Sequence, residues 1–346
     1  MGSNPVFIVG PSRSGTTLLQ EVMNRHSQFH ISAETHWFDD ERCQRHHAIE
    51  TDDARKAVQD WFLSLSHKAF GYQGCPEQGW LQREDLEREA QATATDLPRD
   101  AYFVAACKLN SARQGKPRWG EKTPRHVFRI DEILDAQPDA KIVCCIRNAP
   151  AMIASYQQWG LRNGHDISEE SQSTATAEEK QRTRASYHPA IVAMLWRGAI
   201  LKSLKALEQY GEQRVKLVWY EELVADAQGT ISDLLDWLDE PFEPETLNVP
   251  MINSSFDHFK REAGFNSQPL NRWQKTLSPG DLAVIQLICG GALKRTGYAP
   301  VSQWHQLWRA VPLMLQLPSA VLRAARANRH RTGKLLPYLW RRLVAS

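Results

Sequence analysis

The chain begins with a short apolar run that leads directly into a glycine-bounded loop. The run is Val6–Val9, and the loop after it reads Gly-Pro-Ser-Arg-Ser-Gly-Thr-Thr. An apolar strand, such a loop and a helix together make an oxyanion cradle, because loop and first-turn N–H groups point at one spot and the helix dipole favours negative charge there. Gly10 and Gly15 have the spacing of the nucleotide-binding pattern G-x-x-x-x-G-K-[ST], but Thr16 stands where that pattern requires Lys. The sequence therefore predicts a relative of phosphate-binding loops whose cation is Arg13, within the loop.

Short apolar runs alternate with long helical patterns along the chain. The runs predict strands at Val6–Val9, Phe29–Ser32, Lys141–Ile146 and Val215–Trp219. Continuous apolar runs of this length are typical of parallel strands that are buried on both faces. Helical patterns lie between them, at roughly 15–25, 51–70, 83–112, 124–137, 148–160, 188–210 and 228–239. The sequence therefore predicts an α/β fold with a parallel central sheet flanked by helices, whose ligands bind at the carboxyl ends of the strands.

The distribution of charge divides the 346 residues into a body and a basic end. The predicted domain covers residues 1–300, and within it residues 161–187 are polar and nearly free of large apolar side chains. A segment of this length favours a mobile lid over the site or an insertion on the surface. Residues 301–346 hold eight Lys and Arg and no Asp or Glu, mixed with Trp and Leu. This basic amphipathic helical tail is compatible with packing or homodimerisation, with contact to an anionic membrane, or with disorder.

The cysteines and the N-terminal segment bear on the compartment. The six cysteines have no C-x-x-C spacing, and Cys144 and Cys145 are adjacent in an apolar run, which favours buried, reduced thiols. The first predicted strand begins too early for a signal peptide, and no apolar stretch is long enough to span a membrane. We therefore expect a cytoplasmic protein, with peripheral contact at the inner membrane face if the tail binds lipid, and no nucleic-acid partner.

Further candidate ligands for an anion lie in the loop and just after it. Three hydroxyl groups occur there, those of Ser14, Thr16 and Thr17. Gly15 lets the backbone approach an anion closely, and Arg13 adds positive charge. The alternative for such a segment by itself is a plain connection between a strand and a helix. Two glycines, a cation and three hydroxyl groups after a buried strand favour anion binding.

A second candidate group follows the strand predicted at Lys141–Ile146. Arg147 comes directly after this strand, where a cation is costly unless it meets an anion. Ser155 lies about two turns into the predicted helix that follows. We expect these two side chains to share one phosphate, and the alternative is a structural arginine paired with a nearby carboxylate.

Candidate catalytic residues lie in two further segments. In Gly-Glu-Lys-Thr-Pro, Lys122 is expected in a fixed turn that enters a helix, where it suits contact with a leaving-group oxygen; the alternative is a solvated surface lysine. Soon after the second predicted strand, Glu34 or His36 could remove a proton from an attacking hydroxyl. Either could instead cap the next helix or lie on the surface, and Thr35 could be that cap. The histidines show no ligand spacing, so no metal site is predicted.

With these segments in order, the chain resembles the sulfotransferases that use 3′-phosphoadenosine-5′-phosphosulfate (PAPS). The stretch from Pro11 to Leu18 is similar to that family's 5′-phosphosulfate loop, above all to the Arg-containing form in tyrosylprotein sulfotransferases and many bacterial members. Arg147 and Ser155 resemble its 3′-phosphate pair, and Gly-Glu-Lys-Thr-Pro resembles its G-[DE]-K-[TD]-P turn. The resemblance covers roughly residues 5–300.

Two later parts of the chain extend the resemblance. Tyr220 begins a segment similar to the family's Y-E-[DE]-L, whose tyrosine lies near the adenine. Ser254 and Ser255 fall in a segment similar to its cofactor-facing C-terminal loop, and Arg272 belongs to one similar to the R-W segment before the last domain helix. The resemblance implies that these four residues contact the cofactor.

The resemblance also implies catalytic roles. Glu34 lies twenty-one residues beyond Arg13, as the base does in the tyrosylprotein branch, and Lys122 would steady the bridging oxygen of the departing nucleotide. Arg13 and the Thr16 region would hold the 5′-phosphosulfate. The chain departs from that branch at His36, where the branch has a catalytic arginine. This departure argues against a protein-tyrosine acceptor, and His36 is the second candidate for the base.

The implied fold is the P-loop NTPase-like sulfotransferase fold, and the implied activity is that of an enzyme. It would move a sulfuryl group from PAPS to a hydroxyl, with an amine as the second choice, and release 3′-phosphoadenosine-5′-phosphate (PAP). Positioned donors suffice for this in-line displacement, so no metal is expected. The acceptor would be a small molecule, a glycan or a lipid. Two other classes stay open: a P-loop nucleotide kinase or phosphotransferase, against which Thr16 argues, and a non-catalytic nucleotide- or membrane-binding protein.

Overall fold

Five parallel strands form the centre of the protein in a computed structural model. They are β1 (Val6–Val9), β2 (Phe29–Ser32), β3 (Arg118–Lys122), β4 (Lys141–Ile146) and β5 (Val215–Trp219). The order across the sheet is β2-β3-β1-β4-β5, and every neighbouring pair is parallel. The predicted α/β fold with a parallel central sheet is therefore confirmed.

The structure describes most of the chain. The described residues are 4–38, 51–67, 79–93, 95, 98–161 (without the side chains of 159–161), 184–249, 265 and 270–328. Ser254 and Ser255, residues 162–183 of the predicted lid, and residues 329–346 of the tail lie outside them.

Helices surround the sheet. They are α1 (Thr16–Arg25), α2 (Asp52–His67), α3 (Arg83–Ala92), α4 (Pro98–Arg113), α5 (Ile130–Ala136), α6 (Ala149–Leu161), α7 (Pro189–Tyr210), α8 (Tyr220–Ala225), α9 (Ala227–Trp237), α10 (Trp273–Thr276), α11 (Pro279–Arg295) and α12 (Val311–Ala327). Short 3₁₀ helices cover Pro124–Arg129, Pro244–Leu247 and Trp304–Ala310. The single helix predicted at 83–112 is wrong, since this region holds both α3 and α4. Pro98 begins α4, because proline suits the first turn of a helix and not its interior.

Strand β1 shows how the two faces of the sheet are filled. Phe7 and Val9 lie in one apolar core, where the ring of Phe7 stacks on that of Phe103 from α4. Val6 and Ile8 lie in the other core with residues of α1 and α9. All four residues of β1 are fully buried, because neighbouring residues of a strand point to opposite faces and both faces are covered.

Strand β3, which lies inside the sheet between β2 and β1, is the main difference from the sequence prediction. The fixed turn expected around Lys122 is wrong, because Arg118–Lys122 pairs with β1 on one side and β2 on the other. Its sequence, Arg-Trp-Gly-Glu-Lys, has no apolar run, so hydrophobic periodicity does not reveal it. Gly120 fits at its middle, where a Cβ would lie 2.4 Å from the carbonyl oxygen of Val6. Lys122 is therefore the last residue of a strand that pairs on both sides.

The described part of the tail packs on the domain. The 3₁₀ helix Trp304–Ala310 and α12 contact α11, and α12 also contacts α7. The inner side of α12 is formed by Leu313, Met314 and Leu317. Among the described residues, no helix is long and apolar enough to cross a bilayer. The prediction of buried, reduced thiols at Cys144 and Cys145 is confirmed, since both are buried and neither forms a disulfide.

Candidate functional site

The carboxyl ends of all five strands lead to candidate site residues. The loop after β1 begins at Gly10, and the segment after β2 holds Glu34. Lys122 ends β3, Arg147 follows β4, and Tyr220 follows β5. Strand β1 lies between β3 and β4, so its loop stands where the strand order changes direction. That is where open α/β sheets usually bind ligands.

The loop after β1 has the backbone of an anion cradle. The φ angle is 144° at Gly10, 70° at Arg13 and 88° at Gly15, so the chain turns through conformations that favour glycine. A Cβ on Gly10 would lie 2.4 Å from the carbonyl oxygen of Cys145, which explains the glycine beside β4. The hydroxyl of Ser14 is buried and has no hydrogen-bond partner among the described residues. A buried donor without a partner inside a cradle fits a site for an anionic ligand.

The first turn of α1 completes this loop. Gly15 is the N-cap of the helix, and Thr16 is buried at its first position. The hydroxyl of Thr17 accepts a hydrogen bond from Lys122 Nζ at 3.5 Å. The side chain of Leu18 packs beside the core that contains Val6 and Ile8. The group of Leu18 that is suited to contact a ligand is therefore its backbone N–H.

Arg13, Arg147, Ser155 and Tyr220, which we name the Arg147 cluster, are connected although they are far apart in sequence. Arg147 Nη1 donates to the carbonyl oxygen of Arg13 at 2.8 Å, and Arg13 Nε donates to Ser155 Oγ at 3.3 Å. The guanidinium of Arg147 lies 4.2 Å from the ring centre of Tyr220. A Cβ on Gly15 would lie 2.4 Å from that ring, so the tyrosine ring packs on the loop.

Among the residues that the structure describes, no acidic side chain compensates the charge of Arg147. The residue is buried, and within the described parts of the chain its Nε has no acceptor and its guanidinium forms no ion pair. Within the described ranges, the structure therefore does not pair this arginine with a carboxylate, which is what the alternative of a structural arginine requires. Since a buried cation without an anion is costly, this arrangement indicates a site for an anionic ligand.

The backbone around Arg147 is held by residues that the sequence did not single out. Trp196 Nε1 donates to the carbonyl oxygen of Arg147 at 2.8 Å. Glu221 accepts from the N–H of Asn148 at 3.0 Å and from the hydroxyl of Tyr298 at 2.7 Å. The Tyr-Glu-Glu-Leu segment was the available signal for Glu221, whereas nothing in the sequence pairs it with Tyr298.

Thr17, Glu34, His36 and Lys122 form a second group, the transfer cluster. Lys122 Nζ donates to Glu34 Oε1 at 2.9 Å, and His36 Nε2 lies 3.5 Å from Glu34 Oε2. The side chain of Lys122 is 2% exposed and that of Glu34 is 42% exposed. The alternative of a solvated surface lysine is therefore wrong, and of this ion pair Glu34 is the residue that solvent or a substrate can reach.

Charge sets the protonation of Glu34. Burial acts to raise the pKa of this carboxyl, but the charges of Lys122 and His36 and the hydrogen bond from Lys122 outweigh it. The resulting pKa lies below the usual 4.5, so Glu34 is ionised at neutral pH. An ionised, accessible carboxylate beside an ammonium group can accept a proton while the cation faces developing negative charge.

Glu121 lies behind the transfer cluster and was not predicted to have a role. Its fully buried carboxylate accepts from the backbone N–H of Thr35 at 3.0 Å and its hydroxyl at 2.9 Å, and also from the Thr123 hydroxyl. The fourth donor is His126 Nδ1 at 3.1 Å, since His126 Nε2 accepts from the N–H of Phe38. Burial acts to raise the pKa of Glu121, but the interaction with His126 and the hydrogen bonds from Thr123 and Thr35 lower it overall.

This network positions the segment that carries Glu34. Glu121 and Lys122 are neighbours on β3, so their side chains point to opposite sides of the strand. Glu121 holds Thr35 while Lys122 holds Glu34, and one strand thereby fixes two successive residues of the segment after β2. A sequence prediction that Arg118–Lys122 forms a strand would have placed Glu121 and Lys122 on its opposite sides.

The remaining predicted cofactor contacts are Arg272, Ser254 and Ser255. Arg272 lies at the start of α10, which packs against α6, the helix that carries Ser155. Ser254 and Ser255 are outside the described residues. Where the structure describes the chain, it brings together no group of three or more His, Cys, Asp or Glu side chains that could hold a metal ion.

Comparisons with known proteins are consistent with this geometry. Residues 5–244 match the model of the Sulfotransferase family. No curated protein sequence matches the chain. Its fold is similar to that of the sulfotransferase domain from the Synechococcus PCC 7002 olefin synthase, with 18% identity, 86% of this chain and 97% of that chain covered, and a TM-score of 0.52.

Two further solved structures are similar at lower scores. The sulfotransferase domain from the curacin biosynthetic pathway is 16% identical over 86% of this chain and 99% of its own, with a TM-score of 0.49. Retinol dehydratase in complex with androsterone and inactive cofactor PAP is 13% identical over 85% of this chain and 82% of its own, with a TM-score of 0.37. Only the match to the olefin synthase domain, with its TM-score of 0.52, supports the P-loop-like sulfotransferase fold, and at 18% identity it supports nothing finer.

Proposed function

The chain belongs to the sulfotransferase family, and on that premise we propose that it transfers a sulfuryl group from PAPS to a hydroxyl, with an amine as the second choice. The acceptor is a small molecule, a glycan or a lipid. The observation that carries the donor assignment is Arg147, a buried cation without a carboxylate partner among the described residues, beside a cradle that holds the buried Ser14 hydroxyl.

The two anionic ends of PAPS fit two parts of the site. The loop with Arg13 and Ser14 and the first turn of α1 would hold the 5′-phosphosulfate, because N–H groups, hydroxyl groups and a cation converge there. Arg147 and Ser155 would hold the 3′-phosphate, and Tyr220 would lie beside the adenine. Bound PAPS supplies an activated sulfuryl group with a bisphosphate leaving group. Ser254, Ser255 and Arg272 stay predicted cofactor contacts.

The transfer cluster would perform the proton and charge handling. Glu34 is ionised and partly exposed, so it can accept the proton of an acceptor hydroxyl. Lys122 Nζ would stabilise negative charge on the leaving oxygen. As long as Lys122 contacts Glu34 at 2.9 Å, the carboxylate is a weak base. Movement of the ammonium group toward the leaving oxygen would raise the pKa of Glu34 and make it a stronger base at the moment of transfer.

Calorimetry and a labelled-sulfate assay test this proposal. Titration with PAP, adenosine 5′-phosphosulfate and magnesium-ATP is expected to give the tightest binding for PAP and none for ATP. Labelled PAPS incubated with cell extracts and the enzyme is expected to yield a sulfonated product. Binding of magnesium-ATP in place of PAP would indicate a phosphotransferase instead. PAP binding without any labelled product would indicate a non-catalytic nucleotide-binding protein, and Glu34→Gln would then leave PAP binding unchanged.

A further inference from the structure

The exposed large apolar side chains of the described residues gather on the outer side of the tail. Five of them, Trp304, Trp308, Val311, Leu315 and Leu322, belong to the 3₁₀ helix Trp304–Ala310 and to α12. We name these five the tail face. Trp304 is 83% exposed, Leu315 is 77% exposed and Trp308 is 68% exposed. Single exposed apolar residues are common on protein surfaces, but a group of this size marks an interaction site.

Helix α12 is apolar on two sides, and the domain covers one of them. Leu313, Met314 and Leu317 pack against α7 and α11. Leu315 and Leu322 are four and eleven residues beyond Val311, so these three residues share one side of the helix. That side differs from the inner side. Since the inner residues already anchor α12 to the domain, the exposed residues are not needed to hold the helix in place.

The charged side chains of the segment that carries the tail face are all cationic. Arg323 and Arg326 are exposed on α12, and the guanidinium of Arg309 lies 5.8 Å from the ring centre of Trp308. Residues 301–346 contain no Asp or Glu, and five further Lys and Arg follow residue 328. The segment therefore presents tryptophan and leucine side chains within a region of one charge sign.

We propose that the tail face docks the protein on an anionic lipid surface. Tryptophan rings favour the level of the lipid headgroups, and the aliphatic side chains of an amphipathic helix enter the outer acyl region. Each arginine near an anionic leaflet strengthens binding by about 1 kcal/mol, which is about fivefold in partitioning. This proposal concerns a surface and does not depend on the transfer reaction.

Charge favours lipid over a second copy of the chain. In a twofold dimer through the tail face, the same patch would meet itself, so Arg323 and Arg326 of both copies would approach one another. No acidic side chain in residues 301–346 is available to compensate them. An anionic leaflet supplies both the apolar phase and the missing negative charge.

Vesicle co-sedimentation of the full chain tests the proposal. We expect binding to vesicles of phosphatidylcholine mixed with phosphatidylglycerol, release by high salt, and little binding to phosphatidylcholine alone. The pair Trp304→Ser and Leu315→Ser is expected to weaken binding by about tenfold or more. The pair Arg323→Glu and Arg326→Glu is expected to weaken it by at least tenfold.

A matched pair of charge reversals controls for net charge. Arg55 on α2 and Arg88 on α3 are exposed and lie outside the tail, so Arg55→Glu with Arg88→Glu should change vesicle binding by less than about threefold. Circular dichroism and thermal unfolding verify that each variant is folded. If both charge-reversal pairs weakened vesicle binding equally, net charge alone would explain the effect and the proposal would be overturned.

Two further outcomes would also overturn it. Failure of the full chain to bind the anionic vesicles would remove lipid as the occupant. A concentration-dependent dimer in analytical ultracentrifugation, abolished by Trp304→Ser with Leu315→Ser and accompanied by no vesicle binding, would assign the face to a second copy. Sulfuryl transfer to a soluble acceptor is measured in parallel, because failure of docking and failure of the proposed reaction are separate results.

Discussion

The transfer cluster and the Arg147 cluster lie at the same edge of the sheet but differ in how their charges are compensated. Lys122 already contacts the carboxylate of Glu34 at 2.9 Å. Arg147 has a carbonyl oxygen and a tyrosine ring as partners, and no carboxylate among the described residues. A cation that lacks an anion contributes most to the binding of an anionic ligand. A cation that is already paired contributes most when new negative charge develops in the transition state. We therefore expect the Arg147 cluster to control affinity and the transfer cluster to control turnover.

The largest effect is expected when the ammonium group is removed from the transfer cluster. Lys122→Met should lower kcat by about 10³-fold, because it removes the ammonium group that pairs with Glu34 and would face the leaving oxygen. PAP affinity, measured by calorimetry, should change far less. Lys108→Met serves as the control, since Lys108 pairs with Glu89 at 3.6 Å on the surface. A loss of PAP binding as large as the loss of kcat would contradict the division between the clusters.

Removal of the carboxylate charge should have the next largest effect. Glu34→Gln is expected to keep PAP affinity and lower kcat by about 10²-fold or more. Because the pKa of Glu34 in the free enzyme lies below 4.5, kcat/KM of the unaltered enzyme should fall only as the pH drops below about 4.5. His36→Gln is the matched variant for the second candidate base. If Glu34→Gln kept the kcat of the unaltered enzyme and His36→Gln lowered it, the base would be His36.

A smaller effect, confined to binding, is expected in the Arg147 cluster. Arg147→Ala should weaken PAP binding by about 50-fold, since hydrogen bonds to a charged group contribute about 1.5–3 kcal/mol. Binding of adenosine 5′-phosphosulfate, which has no 3′-phosphate, should weaken only a few-fold. Arg147→Lys keeps the charge but loses the planar guanidinium, so its affinity for PAP should lie between those of the unaltered enzyme and Arg147→Ala. Equal losses for both nucleotides in calorimetry would remove the assignment of the 3′-phosphate.

The smallest effect concerns the support behind the transfer cluster. Glu121→Gln should lower the free energy of unfolding by about 2 kcal/mol at neutral pH, because an amide cannot accept from all the donors that meet the carboxylate. The folded-state pKa of Glu121 is below its unfolded value of 4.5, so its stabilisation is complete above pH 4.5 and is lost as the pH falls through the folded-state pKa.

Urea unfolding at several pH values measures this difference. The gap between the unaltered protein and Glu121→Gln should narrow as the solution is acidified below pH 4.5. Glu89→Gln, which alters a partly exposed carboxylate paired with Lys108, should change stability by less than about 1 kcal/mol at any pH. A constant gap across the pH range would mean that the charge of Glu121 is not what stabilises the network.

Four of the five strands could be predicted because their segments are rich in apolar residues, and the predicted bounds agree with the structure. Strand β3 could not, since Arg118, Gly120, Glu121 and Lys122 give it no hydrophobic pattern. Its burial comes from pairing with β1 and β2, which is a property of the sheet and not of the segment. The helix predicted at 83–112 failed for a different reason, because helical periodicity continues on both sides of the break before Pro98.

The sequence by itself determined the strand–loop–helix with its glycines and Arg13, the Arg147–Ser155 spacing, and the resemblance that ordered the candidate residues. Only the tertiary structure decided which of them meet. Lys122 and Glu34 are 88 residues apart, and Arg13 and Ser155 are 142 apart. Local periodicity reports which residues share a face of one strand or helix, but it holds no information on which strands become neighbours. The strand order β2-β3-β1-β4-β5 supplies that information, and it places the segment after β2, which carries Glu34, beside β3, which ends at Lys122.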